Sequence, residues 1–300
     1  MRDTFRILIG YDGSAFADAA LDDMKLAGLP NVAEVLVISV AEVWLPPENE
    51  EERPEFISSD LKRRFEHNLE EVARCRELAD GAARRVRSAF PRWEVLSEAT
   101  YGSPAWEMLS RATDFKPDLI VVGAQGVHGI AEILIGSIAQ KIVSEAPCSV
   151  RVARGDVAVD PEPARILIGY DGTSGADAAV NEVIQRHWPA ETTVRIVIVN
   201  DTALIRKSLN IDDSRIFAAG TSVAQKFRDA GFESSFVIRE GNPKKILVAE
   251  ALDWKADSIF LGATKFVDPL TKYVLGSVAS AVASRAGCSV EIVRPRRAGH

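Results

Sequence analysis

Short runs of four or five apolar residues alternate along this chain with longer stretches in which apolar positions recur every three or four residues. Phe5–Ile9 is the first run and predicts a strand ending at Gly10; Ser14–Ala27 then carries Phe16, Ala20, Met24 and Ala27 at helical spacing. Ser14 is a candidate N-cap, with Asp18 and Asp22 early in the helix, where negative charge is favourable. Val35–Val40 predicts a second strand, and Phe56–Phe90 a long helix with Phe65, Leu69, Val72 and Leu78 on one side and Gly81 weakening its last turns. Trp93–Leu96 predicts a third strand, and Ser103–Thr113 a helix with Pro104 in its first turn, where a missing N–H is harmless. Leu119–Val122 reads as the fourth strand, Ser137–Val143 as part of the last helix, and Ser149–Val152 as the fifth strand. Continuous apolar strands alternating with helices argue for a parallel sheet covered on both faces.

The whole pattern is then repeated. RILIGYDGS at 6–14 returns as RILIGYDGT at 165–173, and Val35–Val40 matches Val194–Val199 at the same offset of 159 residues. Further on the offset shrinks: Gly102-Ser103-Pro104 aligns with Gly241-Asn242-Pro243, Gly123 with Gly262, and Cys148-Ser149-Val150 with Cys288-Ser289-Val290. The first copy therefore holds an insertion of about 20 residues after its second strand, where Pro46-Pro47 and the acid-rich Glu48–Glu55 lie. A repeat this long is a duplicated domain rather than a solenoid unit. Residues 1–154 and 164–296 are the expected domains, joined by the Pro-, Gly- and acid-containing RGDVAVDPEP at 154–163.

Composition changes this picture little. Apolar residues make up 47% and charged residues 26% of the 300, which is ordinary for a globular chain. The net charge of −7 is uneven, with 25 Asp/Glu against 16 Lys/Arg in residues 1–150 and 18 against 20 in the remainder, and it argues against a general nucleic-acid surface. Cys75, Cys148 and Cys288 form neither a closed disulfide framework nor a Cys-x-x-Cys pair, so the reducing cytoplasm is the expected compartment. MRDTFRILIGYDG holds no apolar run of signal-peptide length, and neither secretion nor a membrane span is expected.

Candidate chemistry concentrates at 119–137, LIVVGAQGVHGIAEILIGS. A buried strand there stops in Gly123, Gly126 and Gly129, and Gly136-Ser137 opens the next helix, whose free N–H groups attract anions. The spacing is neither the dinucleotide fingerprint Gly-x-Gly-x-x-Gly nor the phosphate loop with its Gly-Lys-Ser/Thr ending. In open sheets of this kind ligands bind beyond the carboxyl ends of the strands, where the strand order reverses, and Asp12 and Gly123 both fall at such ends. Each residue also has a plainer reading: Asp12 as a turn residue, Gly123 and Gly126 as a tight strand-to-helix connection, Gly136-Ser137 as an ordinary helix start, and His128 as a solvent-facing imidazole. His67, His128, His187 and His300 show no ligand spacing, and no Gly-x-Ser-x-Gly elbow is present.

Taken together, Ile-Leu-Ile-Gly-Tyr-Asp-Gly-Ser at 7–14, Gly123-Ala-Gln-Gly126 followed after nine intervening residues by Gly136-Ser137, and Ala146-Pro147-Cys148-Ser149-Val150 resemble the universal stress protein family, in tandem. The resemblance implies two doubly wound, Rossmann-like α/β domains, each with a five-stranded parallel sheet of order 3-2-1-4-5. It also implies pairing through the last strands, here Val150–Val152 with Val290–Val293 inside one chain, while a homodimer stays open. The first domain carries the complete motif of the family's ATP-binding branch. There Asp12 and the residues around Val40 would hold adenine, Gly126 and its neighbours, Gly123 and Gly129 among the candidates, would approach the ribose, and Gly136 and Ser137 would meet the phosphates; His128, from its place in the loop rather than from the resemblance, is a candidate to help with phosphate charge. In the second domain Lys265 stands where Gly126 does, the run from Gly262 to Gly276 is one residue longer, and Pro269 stiffens it, so the motif is degenerate.

The expected function is an ATP-binding stress-response or signalling module, with Mg²⁺ or Mn²⁺ held mostly by phosphate oxygens and hydrolysis very slow or absent. No residue is named to orient water, so a dedicated enzyme is not expected, although a weak ATPase stays open. The alternative is a protein-interaction scaffold in which the acidic 41–60 insert, with Trp44, Leu45 and Phe56, meets a partner and nucleotide is structural or absent.

Overall fold

The computed structural model describes residues 4–45, 59–125, 135–154, 163–200, 213–263 and 275–295. In the first half β1 (Phe5–Gly10) leads to α1 (Ala15–Asp23), a 3₁₀ turn (Met24–Leu26) and β2 (Ala33–Ala41). Next come α2 (Ser59–Ala89), β3 (Glu94–Tyr101), α3 (Pro104–Phe115), β4 (Leu119–Gly123), α4 (Ser137–Glu145) and β5 (Ser149–Ala153). The second half repeats the order with β6 (Arg165–Gly169), α5 (Ser174–Gln185), β7 (Thr193–Asn200), α6 (Asp213–Asp229) and β8 (Glu233–Glu240). It closes with α7 (Pro243–Asp253), β9 (Ser258–Gly262), α8 (Ser277–Arg285) and β10 (Ser289–Val293).

All these strands lie in one sheet of order β3-β2-β1-β4-β5-β10-β9-β6-β7-β8. Within each half the order is 3-2-1-4-5 and every pairing is parallel, as the doubly wound reading requires. The halves meet where β5 and β10 pair antiparallel, with Val152 opposite Val290, Arg151 opposite Glu291 and Val150 opposite Ile292.

Successive side chains in a strand point to opposite faces, and here both faces are covered. Leu8, Ile120 and Val150 face one way, into a cluster that continues through Ile259, Val290 and Ile292 of the second half under α3, α4, α7 and α8. Ile7, Ile9, Val35 and Val121 face the other way, against α1 and α2, and Ile166, Ile168 and Phe260 do the same against α5 and α6. One apolar layer is thus shared by both halves, and the opposite layer is divided between them.

Two elements depart from their sequence pattern. α2 buries Cys75, Ala79, Ala82, Ala83 and Val86, while Phe65 and Leu69 of the expected stripe are exposed. At about 1.5 Å per residue its 31 residues span about 46 Å. The nine residues of β2 span about 30 Å, so the first turns of α2 overrun the sheet. β3 runs on past the predicted Leu96 through the polar Ser97–Tyr101, paired with Val37–Ala41. As an edge strand it tolerates polar residues that a central strand would not. Gly81 leaves α2 unbroken, and Ser14 caps α1 by accepting from the Ala17 N–H at 3.1 Å. No helix among the described residues is long and apolar enough to cross a membrane.

Candidate functional site

β1 and β4 are neighbours, with Ile7 opposite Leu119 and Ile9 opposite Val121. Their carboxyl ends therefore open side by side where the strand order reverses, and the segments after Gly10 and Gly123 leave the sheet together. Asp12 sits in the first of these. Its Oδ1 accepts from the Ser14 N–H at 3.0 Å, a local turn that delivers Ser14 to its capping position. The second half repeats the device: Asp171 Oδ1 accepts from the Thr173 N–H at 3.0 Å and the Thr173 hydroxyl at 2.6 Å, and Thr173 caps α5 through the Ala176 N–H. The same turn is thus made in both halves, by Asp12 in the first and Asp171 in the second.

Gly123 has a packing duty of its own. A Cβ there would lie 2.7 Å from the Phe16 carbonyl carbon and oxygen, because the first turn of α1 crosses over the end of β4. Gly262 meets Gly175 at the start of α5 in the same way, at 2.0 Å. Val40 is half-buried near the end of β2, opposite Thr100 of β3, and packs against the shared apolar layer.

Gly136 is the N-cap of α4, in extended conformation, and contributes no side-chain cap. Its N–H donates to the Ala124 carbonyl at 2.7 Å, which ties the helix start to the exit of β4, and Ser137 beside it is exposed. An α-helix leaves its first N–H groups without intrahelical partners, so an uncapped start with an exposed hydroxyl can accept an anion. Gly276 opens α8 in the same uncapped way. The structure brings the Asp12 turn, Gly123 and the Gly136-Ser137 start to one edge of the sheet. Gly126, His128 and Gly129 lie outside the described residues, as do Lys265 and Pro269 of the second half and the 46–58 part of the insertion.

Sequence reasoning missed the group beside the Asp12 turn. The Tyr11 hydroxyl donates to Asp18 Oδ1 at 2.7 Å, and Arg85 from α2 donates to Asp18 and, at 3.3 Å, to Asp22. Burial, then the Asp18 hydrogen bond and charge, push the Tyr11 hydroxyl up to about 12. Tyr170 bonds Asp177 at 3.0 Å and is pushed to about 12 by the same causes in the same order. The signal was available: tyrosine and aspartate stand seven residues apart in both copies. Among the described residues no three His, Cys, Asp or Glu side chains gather as a metal site.

A family model for the universal stress protein family matches residues 4–154 and again residues 163–294. The chain belongs to the universal stress protein family. Among relatives of this universal stress protein, one from Thermus aquaticus, named for its place in a QAH/OAS sulfhydrylase 3′ region, is 33% identical over 148 residues. That match covers 49% of this chain and 97% of the relative. A universal stress protein of Mycobacterium tuberculosis is 28% identical over 179 residues, 58% of this chain and 56% of that one. The crystal structure of a universal stress protein from Archaeoglobus fulgidus matches with a TM-score of 0.67 at 20% identity, covering 98% of this chain and all of that one, which shows a common two-unit fold.

Proposed function

We propose that this universal stress protein binds one adenine nucleotide per chain, ATP, in the cleft of the first half, with very slow or no hydrolysis. The observation that carries the reading is the uncapped start of α4, whose N-cap Gly136 has no side chain and stands next to an exposed Ser137, after β4 and so at the same strand-order reversal as the Asp12 turn after β1. Those residues suit a phosphate: bare backbone for close approach, a hydroxyl donor, and a helix start that favours negative charge. In this reading Asp12 and Val40 take the adenine side, Gly123, Gly126 and Gly129 flank the ribose, His128 adds charge, and Gly136 and Ser137 hold phosphate. Mg²⁺ or Mn²⁺ would be held chiefly by phosphate oxygens, with Ser137 or Asp12 as candidate protein ligands.

The domain at 1–154 would carry the working motif, and that at 164–296 a degenerate one in which Lys265 displaces the glycine. Calorimetric titration of the whole chain with Mg-ATP tests both parts. One site per chain is expected, and Ser137→Ala should weaken it about 10- to 100-fold, the loss of one hydrogen bond to a charged group. Absence of binding would refute the nucleotide reading; two equivalent sites would refute the asymmetry. A second reading, partner capture by the insertion, is favoured by Trp44, which is 72% exposed while its carbonyl accepts from Asn68 at 2.8 Å. Deleting Glu48–Glu55 would then abolish partner capture and leave ATP binding intact.

A further inference from the structure

Arg151 and Glu291 occupy the same position in the two copies of the repeat, three residues after Cys148 and Cys288 respectively. They also face each other at the centre of the antiparallel β5–β10 pairing, flanked by Val152 opposite Val290 and Val150 opposite Ile292. The pseudo-two-fold axis relating the halves therefore passes between them. At such an axis a residue meets its own equivalent, so pairing first half with first half would set Arg151 against Arg151. Pairing second half with second half would set Glu291 against Glu291.

Both side chains are buried, Arg151 at 1% and Glu291 at 0% exposure. Arg151 Nε and Nη2 donate to Asp23 at 2.5 and 2.9 Å, and its Nη1 reaches across to Glu291 Oε2 at 3.4 Å. Arg186 completes the group from α5's end, donating to both carboxylate oxygens of Glu291 and, across the seam, to the Ala27 carbonyl at 2.9 Å. Asp23 neutralises Arg151 and Arg186 neutralises Glu291 within their own halves, so a homotypic pairing would keep those partners but lose the cross-axis bond and set like charges together at the axis.

Shape repeats what charge says. The turn after α1 is small, Ala27-Gly28-Leu29; the equivalent turn after α5 is large, Arg186-His187-Trp188. The large turn sits on the small one. The His187 N–H donates to the Gly28 carbonyl at 2.9 Å, and a Cβ on Gly28 would fall 2.6 Å from the Trp188 ring. Gly28 also has φ +62°, a conformation other residues resist. Two small turns would leave a hollow, and two large ones would collide.

We infer that the seam is a heterotypic lock: the β5 edge of the first half accepts the β10 edge of a second half and rejects a second copy of itself. The partner it selects is therefore the other half of this same chain, by charge at the axis and by a tryptophan over a glycine beside it.

The test uses the full chain with a specific protease site inserted between residues 155 and 162. Isotope-labelled and unlabelled batches are cleaved when folded, mixed, left to exchange, and weighed by native mass spectrometry. The expected result is 1:1 complexes of first and second halves throughout, with homotypic pairs at least about a hundredfold below their statistical share, since like charges set together across an interface are strongly disfavoured. A statistical mixture of pairs, or separation into single halves, would overturn the inference. Gly28→Trp is expected to speed exchange or shift the population away from 1:1. Should that variant fold poorly, Trp188→Ala removes the large side without overfilling anything and should speed exchange at least about tenfold, the scale set by losing a well-buried aromatic. Exchange as slow as in the unaltered chain would refute the shape argument.

Discussion

Replacing Gly123 by alanine separates the packing duty of this residue from any part in ligand binding. The added Cβ would lie 2.7 Å from the carbonyl carbon and oxygen of Phe16 and 3.0 Å from the Ala17 nitrogen. Those are backbone atoms of the first turn of α1, which is held by the Ser14 cap and cannot swing aside as a side-chain tip would. Relief requires α1 to lift from β4 by several tenths of an ångström along a buried contact made by Ala17, Ala20 and Leu21. Overpacking of this kind costs about 1–3 kcal/mol. In a chain of this size that lowers the melting temperature by roughly 2–10 °C. Gly262→Ala should cost more, because its Cβ would lie 2.0 Å from the Gly175 backbone. Gly287→Ala is the control: nothing lies within 4 Å, so it should be neutral, or stabilising by up to about 1 kcal/mol through a less flexible unfolded chain. The assay is thermal and urea unfolding of nucleotide-free protein. If Gly123→Ala melted with the unaltered chain, and only its ATP titration changed, the packing argument would be refuted and the glycine would belong to the ligand alone.

Three further outcomes are expected. Arg151→Met strands the buried Asp23 carboxylate, which keeps only the Ser289 hydroxyl among the described residues, while Glu291 keeps Arg186; it should cost about 3–5 kcal/mol in urea unfolding. Arg85→Met breaks exposed pairs and should cost no more than about 1 kcal/mol. Tyr11 and Tyr170 keep their protons up to about pH 12, while the unfolded chain releases them near 10. The folded state therefore holds more protons in that window, and the associated stability, complete below pH 10, is lost as pH rises toward 12; spectrophotometric titration should show two late tyrosines, one of which vanishes in Tyr11→Phe. Burial pushes the Cys148 and Cys288 thiols up to about 12, so alkylation of the native protein at neutral pH should be slow at both and accelerate on unfolding.

Much of the fold was legible because its signals are local. RILIGYDG at 6 and again at 165 announced the duplication, Ile7–Ile9 and Leu119–Val122 announced strands buried on both faces, and Ser14 and Pro104 marked helix starts where the structure has them. The edge strand β3 was cut short because Ser97–Tyr101 lacks the apolar run by which central strands are recognised, and its partner on β2 is about 60 residues away. Of the stripe Phe65, Leu69, Val72 and Leu78, the first two misled, because periodicity shows that a helix has a face, not how far the sheet extends beneath it.

The candidate site divides along the same line. Residue types and spacing named Asp12, Gly123, Gly136 and Ser137, and strand order set them on one edge. That Gly123 is pressed by the first turn of α1, and that Tyr11 answers to Asp18 and Arg85, are facts of side-chain geometry.

By itself the sequence determined the two copies, the alternation of strands and helices, and the family, since each is written in neighbouring residues and their periods. The family resemblance also pointed to the last strands as the meeting edges, and only the tertiary structure decided which side chains meet across them. Arg151 finds Asp23 across 128 positions and Glu291 across 140, and Trp188 covers Gly28. No period along the chain encodes those meetings, because they depend on how the two halves of one twisted sheet come into register at the antiparallel β5–β10 pairing.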